Sequence, residues 1–153
     1  MAKSWPKWSQ PDEEYNLREV APNLWVGAEL SPGLRPAGPW QGVVDLYGSS
    51  PKNPSLYAGI GELLHRPFYD GVSFPPGLLD EILGLVRRNI RTGPVLIHCQ
   101  AGLSRSASAA YGMMRLAGTP HAEALARVKI ERGFPRTETI RSARSWVRSK
   151  QKK

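Results

Sequence analysis

Three short apolar runs stand out along the chain: Leu24-Trp25-Val26-Gly27, Gly42-Val43-Val44-Asp45-Leu46 and Val95-Leu96-Ile97-His98. They have the length of strands rather than helices and are bounded by turn-forming residues such as Pro22-Asn23, Gly48 and Thr92-Gly93-Pro94, so each predicts a strand. A further strand is expected from Leu63 to Phe68. Between Pro76 and Arg91 the pattern changes: Leu78, Leu79, Ile82, Leu83, Leu85 and Val86 recur at helical spacing and leave Asp80 and Glu81 on the other side. That helix opens at a proline, where a missing N–H costs nothing. Ser104 to Leu116, His121 to Glu131 and Thr137 to Arg148 complete a set of four helices, with Met113, Met114 and Trp146 at packing positions. Strands and helices mixed in one chain of this size predict an α/β domain.

The first third is less regular, with prolines at positions 6, 11, 22, 32, 36, 39, 51 and 54, and with Trp5, Trp8, Trp25 and Trp40 spread through it. We read 1–153 as a single domain with an irregular N-terminal arm over about residues 1–20 and a basic tail over about 149–153. There is no internal repeat. One cysteine excludes an internal disulfide, no run reaches the ~18 apolar residues of a membrane span, and Met1-Ala2-Lys3-Ser4-Trp5-Pro6 leads into no apolar signal core. A reducing setting, cytoplasmic or, in a eukaryote, also nuclear, and a monomer are expected.

Charge is uneven. From Arg127 to Lys153 there are ten Lys/Arg and two Glu, a net of +8, which is the net charge of the whole chain. Such a segment attracts anionic surfaces or simply solubilises the domain, and without interleaved aromatic residues it does not predict nucleic-acid binding.

The stretch with chemistry in it is His98-Cys99-Gln100-Ala101-Gly102-Leu103-Ser104-Arg105-Ser106, between the strand ending at His98 and the helix from Ser104. A loop opening onto a helix N-terminus presents unpaired N–H groups and the positive end of the helix dipole to an anion. Gly102 allows a turn that aims several amides at one point, and Arg105 adds a planar fork for two phosphate oxygens. A lone cysteine is usually a small buried hydrophobe. Here the same field acts on Cys99, and helix N-termini with cationic donors lower thiol pKa values to roughly 3.5–7.5, giving a thiolate.

His98-Cys99, five further residues, then Arg105-Ser106 resembles the signature of the cysteine-dependent protein tyrosine phosphatases, and the intervening residues are similar to the small dual-specificity branch. Leu24-Trp25-Val26-Gly27 also resembles the opening strand of that branch. The resemblance implies a central, mostly parallel mixed sheet of four to five strands flanked by helices, with the phosphate-binding loop between a central strand and a helix. It assigns Cys99 as nucleophile, Gln100 to Arg105 as the phosphate cradle, and Ser106 as the group that eases thiolate departure. His98 supports the loop rather than acting as a base.

Displacing an alkoxide from phosphorus also requires an acid. Asp70, in Phe68-Tyr69-Asp70-Gly71-Val72-Ser73-Phe74-Pro75-Pro76, is placed as in the general-acid loop of the family, and we expect that loop to be mobile. Read alone, Asp70-Gly71 is an ordinary turn. No metal or other cofactor is required, since His65, His98 and His121 have no ligand spacing and Arg105 carries the charge. Arg66 reads as a solvated strand end.

The expected substrate is a phosphorylated protein, with phosphotyrosine the best fit and phosphoserine or phosphothreonine also open. The absence of lysine from Gln100 to Ser104 favours phosphoprotein over phosphoinositide, because lipid-directed relatives place basic residues there. RNA 5′-triphosphate, phosphoinositide or phosphatidylglycerophosphate as substrate, or a silent phospho-binding module, are the alternatives. Pro135-Arg136 departs from a Pro-Asn pair common in the branch, so Arg136 either supplies substrate charge or braces its loop differently.

Overall fold

The computed structural model describes residues 16–28, 40–48, 59–130 and 135–152. Trp5, Trp8, the arm up to residue 15, Glu131 and Lys153 lie outside the described residues. Five strands form one sheet: β1 (Arg18–Ala21), β2 (Leu24–Gly27), β3 (Gly42–Asp45), β4 (Glu62–His65) and β5 (Val95–His98), in the order β1-β2-β5-β3-β4. Only β1 runs antiparallel; β2, β5, β3 and β4 are parallel neighbours. Helices α1 (Leu78–Asn89), α2 (Arg105–Leu116), α3 (His121–Val128) and α4 (Thr137–Gln151) complete the fold.

Parallel strands are covered on both faces and therefore lack a polar side, which is why β5, β2 and β3 read as continuous apolar runs. Their side chains still alternate. Leu24, Val26, Val44, Val95 and Ile97 join the core cluster that includes residues of all four helices. Trp25, Val43 and Leu96 point the other way, into a smaller cluster with Leu17 and Trp40 in which the two indoles meet edge to face at 5.9 Å. Helix α2 is buried along nearly its whole length, and Gly112 admits the Trp146 ring of α4 at 3.2 Å from where a Cβ would stand.

Several boundaries differ from expectation for identifiable reasons. β1 lies where an irregular arm was expected, because Arg-Glu-Val-Ala carries little strand propensity of its own. A tight turn at Asn23, with φ of 63°, returns it onto β2, and Glu19 accepts the Asn23 N–H at 2.8 Å. β4 ends at His65 rather than Phe68: Arg66 gives a last N–H to Asp45 O, and Pro67 has none to give. Helix α1 starts at Leu78 rather than Pro76, because Gly77 in front of it is left-handed with φ of 81°. Helix α3 stops at Val128, where Lys129 turns extended, and α4 continues to Gln151, into the expected tail.

Pairing puts Gly27 and Asp45 level with His98, so the loops after β2, β3 and β5 leave the same edge of the sheet. The carboxyl edge of a parallel sheet is where ligands gather in this class of fold.

Candidate active site

Cys99 follows β5 directly, is 2 % exposed, and its Sγ lies 3.2 Å from Oγ of the fully buried Ser106 in the first turn of α2. Between them the chain makes a closed loop. Its carbonyls face outward and are held from outside: Asn16 Nδ2 donates to Ala101 O at 2.6 Å and Arg18 Nη1 to Gly102 O at 3.1 Å. By contrast, no backbone N–H of Gln100, Ala101, Gly102, Leu103 or Ser104 donates to an acceptor among the described residues. Carbonyls bonded outward with amides unspent is the arrangement of an anion nest. Gly102 is required for it: φ is 73°, and a Cβ there would stand 2.6 Å from the Gly27 carbonyl carbon. Gln100 and Ala101 are exposed, Leu103 half-buried, and Gly102 and Ser104 buried.

Arg105 opens α2 and is 7 % exposed. Its Nη1 donates to Leu46 O at 3.2 Å and to Phe68 O at 2.7 Å, so the guanidinium ties the Cys99–Arg105 loop to the segments that follow β3 and β4. Its Nε is buried and has no partner among the described residues. Beside it a cavity of about 360 Å³ is lined by Tyr47, Gly48, Pro67, Phe68, Tyr69 and Arg105, with the Tyr47 ring centroid 5.6 Å from the guanidinium carbon. Tyr69 stands 87 % exposed at its rim.

His98 is buried under the loop, its Nε2 3.8 Å from Oδ1 of the buried Asp45, which also accepts the Tyr47 N–H. Asp70 lies beyond β4 with a half-buried side chain, and its carboxylate meets Nε of Arg136 at 3.5 Å. The Arg136 N–H in turn donates to Ser104 Oγ at 2.9 Å. Thus the structure brings Cys99, Arg105 and Ser106 into one loop and links the Asp70 segment to it through Arg105 and Arg136. Asp80 and Glu81 point elsewhere, Asp80 to Lys150 and Glu81 to Arg66 at 3.2 Å. No group of three or more His, Cys, Asp or Glu side chains among the described residues is arranged to hold a metal ion, and no described helix is long and apolar enough to cross a membrane.

Sequence reading missed the outer braces. Asn16, Arg18 and Asp45 act on the loop from separations of dozens of residues, and only the left-handed Asn16, at φ of 52°, sits in a conformation that its residue type foreshadows.

No family model matches the chain, and no curated protein matches it by sequence. Solved structures do. Human DUSP28 superposes with a TM-score of 0.70 at 24% identity, covering 88% of this chain and 95% of its own. TpbA of P. aeruginosa in complex with pTyr gives 0.65 at 22% identity, covering 94% and 90%. PTPMT1 in complex with PI(5)P gives 0.70 at 15% identity, covering 89% and 97%. The chain has the fold of the small dual-specificity and protein tyrosine phosphatases.

Proposed function

We propose that this protein is a phosphomonoesterase that works through a cysteinyl-phosphate, with phosphotyrosine in proteins as its preferred substrate and phosphoserine or phosphothreonine as further ones. The observation that carries the reading is a buried thiol beneath a loop whose amides are unspent and whose arginine keeps a buried Nε without a partner. A buried donor such as the Arg105 Nε–H costs about 1–3 kcal/mol to leave unmatched, unless a ligand or water oxygen meets it.

In the first step Cys99 Sγ attacks phosphorus in line, the S–P bond forms and the P–O bond to the leaving group breaks. The loop amides and Arg105 hold the three equatorial oxygens, and the leaving oxygen takes the proton of Asp70. In the second step water attacks the thiophosphate, Asp70 takes its proton, and the S–P bond breaks. Ser106 Oγ, 3.2 Å from Sγ, donates to the departing thiolate. The products are the free hydroxyl compound and inorganic phosphate.

An aromatic cleft beside Arg105 supports an aryl phosphate, since Tyr47, Phe68 and Tyr69 line it with apolar surface that suits a phenol. The likeness to PTPMT1 supports the phosphoinositide alternative. A panel of phosphotyrosyl and phosphothreonyl peptides, phosphoinositides, phosphatidylglycerophosphate and RNA 5′-triphosphate ends, ranked by kcat/KM, tests the substrate class; a lipid or RNA in first place overturns the protein reading. In parallel, Cys99→Ser is expected to remain folded and to bind phosphotyrosyl peptide without turnover. Residual activity above about a tenth of wild type rejects a thiolate mechanism, because a serine hydroxyl stays protonated and is a weak nucleophile without a base.

A further inference from the structure

The segment carrying Asp70 leaves β4 and reaches α1 without regular structure, yet four consecutive residues of it are bonded to the first two turns of α4. The Gly71 N–H donates to Thr139 Oγ1 at 3.1 Å, and the same hydroxyl donates to Val72 O at 3.0 Å. Ser73 Oγ donates to Glu138 Oε1 at 3.1 Å, and the Phe74 N–H to Ser142 Oγ at 3.0 Å. Thr139 is fully buried and Phe74 nearly so, the latter packed on Phe68 with ring centroids 4.9 Å apart. The Thr139 hydroxyl therefore uses both its hydrogen and a lone pair on the two residues that follow Asp70.

Helix α4 also reaches the other half of the site. Arg136, its N-cap, gives its backbone N–H to Ser104 Oγ of the phosphate loop, at 2.9 Å. One helical turn thus holds the phosphate loop through its cap and the acid segment through its third residue. Gly71, at φ of 85°, is the pivot between Asp70 and the bonded stretch, a conformation that costs glycine little and other residues more. Without bonds on its far side, that pivot would leave the Asp70 carboxyl held relative to the phosphate loop only by its 3.5 Å contact with the exposed Arg136 side chain, a pair too weak to fix it alone.

We infer that Thr139 is the positioning residue for Asp70, and that the first turns of α4 are the template that sets the distance between general acid and phosphate cradle. The inference rests on Asp70 being the acid. It is tested with a series of aryl phosphates of increasing leaving-group basicity, reading the slope of log kcat/KM against leaving-group pKa in wild type, Thr139→Val, Thr139→Ser and Asp70→Asn. A well-placed acid flattens that slope, because it neutralises the charge building on the leaving oxygen.

Thr139→Val keeps shape and loses both hydrogen bonds, so its slope is expected to steepen, with a loss of about tenfold or more on phenyl phosphate and about threefold or less on a highly activated nitrophenyl ester. Thr139→Ser, which keeps the hydroxyl, is expected to restore a shallow slope. A shallow slope in Thr139→Val beside a steep one in Asp70→Asn overturns the positioning role and leaves the acid in place. A shallow slope in Asp70→Asn rejects Asp70 as the acid, and the inference falls with it. If thermal melting shows that Thr139→Val does not fold, Ser142→Ala takes its place: it releases the Phe74 N–H and removes the bond of the Ser142 hydroxyl to Thr139 O while leaving the Thr139 hydroxyl itself intact, and a steepened slope supports the template while an unchanged one overturns it.

Discussion

Arg105 is gripped along one edge only. Its Nη1 is spent on Leu46 O and Phe68 O while Nε is buried with no partner among the described residues, so the side chain is held in place by the protein alone. Preorganised donors of this kind act on the transition state without being reordered during reaction. A lysine keeps the charge and loses the fork. Arg105→Lys is therefore expected to lower kcat by roughly 10²-fold or more, in the range seen for removal of a single oxyanion donor. Inorganic phosphate should raise the Tm of wild type and raise that of the variant much less, because a ligand stabilises only the fold it binds. Near-normal kcat would make Arg105 a structural residue. At this scale the sequence was most legible: the thiol, the glycine turn, the guanidinium and the hydroxyl that the fold gathers lie within eight consecutive positions from Cys99 to Ser106, so their proximity follows from adjacency alone.

At the scale of elements, legibility follows the range of the interaction. β2, β3 and β5 announce themselves by apolar runs because burial on both faces leaves no polar position to confuse the pattern. Helix α1 is equally plain, with Asp80 and Glu81 in its first turn and Arg87 and Arg88 in its last, as its dipole favours. β1 was not legible, since what makes Arg18–Ala21 a strand is its partner β2. Nor was the anchoring of the Asp70 segment. Glycine and proline around Asp70 suggest a mobile loop, whereas Gly71 to Phe74 are bonded to α4 across separations of 65 to 68 residues. The Arg136 contact has the same character: the departure from Pro-Asn is visible in the sequence, but its pairing with Asp70 is visible only in the fold. That pair is mostly solvent-facing on the arginine side, and exposed pairs of this kind contribute at most about 1 kcal/mol.

Across the whole molecule, helix α4 of the basic C-terminal segment packs back onto the other helices. Arg144 and Arg148 of α4, with Arg115 of α2, surround His121 at the start of α3, whose pKa is lowered from the usual 6.5 by burial first and by these three cations after it. His121 Nδ1 is 2.8 Å from Tyr111 Oη, and the rings meet edge to face. A histidine whose folded pKa lies below its unfolded one binds protons more readily when unfolded, so its contribution is whole above about pH 6.5 and fades as pH falls below it. The Tm advantage of wild type over His121→Gln is expected to shrink between pH 7.5 and 5; a constant difference in thermal melts would show that His121 does not titrate with folding. Cys99 carries a different whole-chain consequence, because it is the single cysteine. A sulfenic acid formed there by peroxide has no second thiol of the same chain to condense with. Peroxide-treated protein is therefore expected to show no disulfide-linked peptide pair within one chain on mapping, and to regain activity only when a thiol is added from outside, which makes its recovery from oxidation a property of its surroundings rather than of its own sequence.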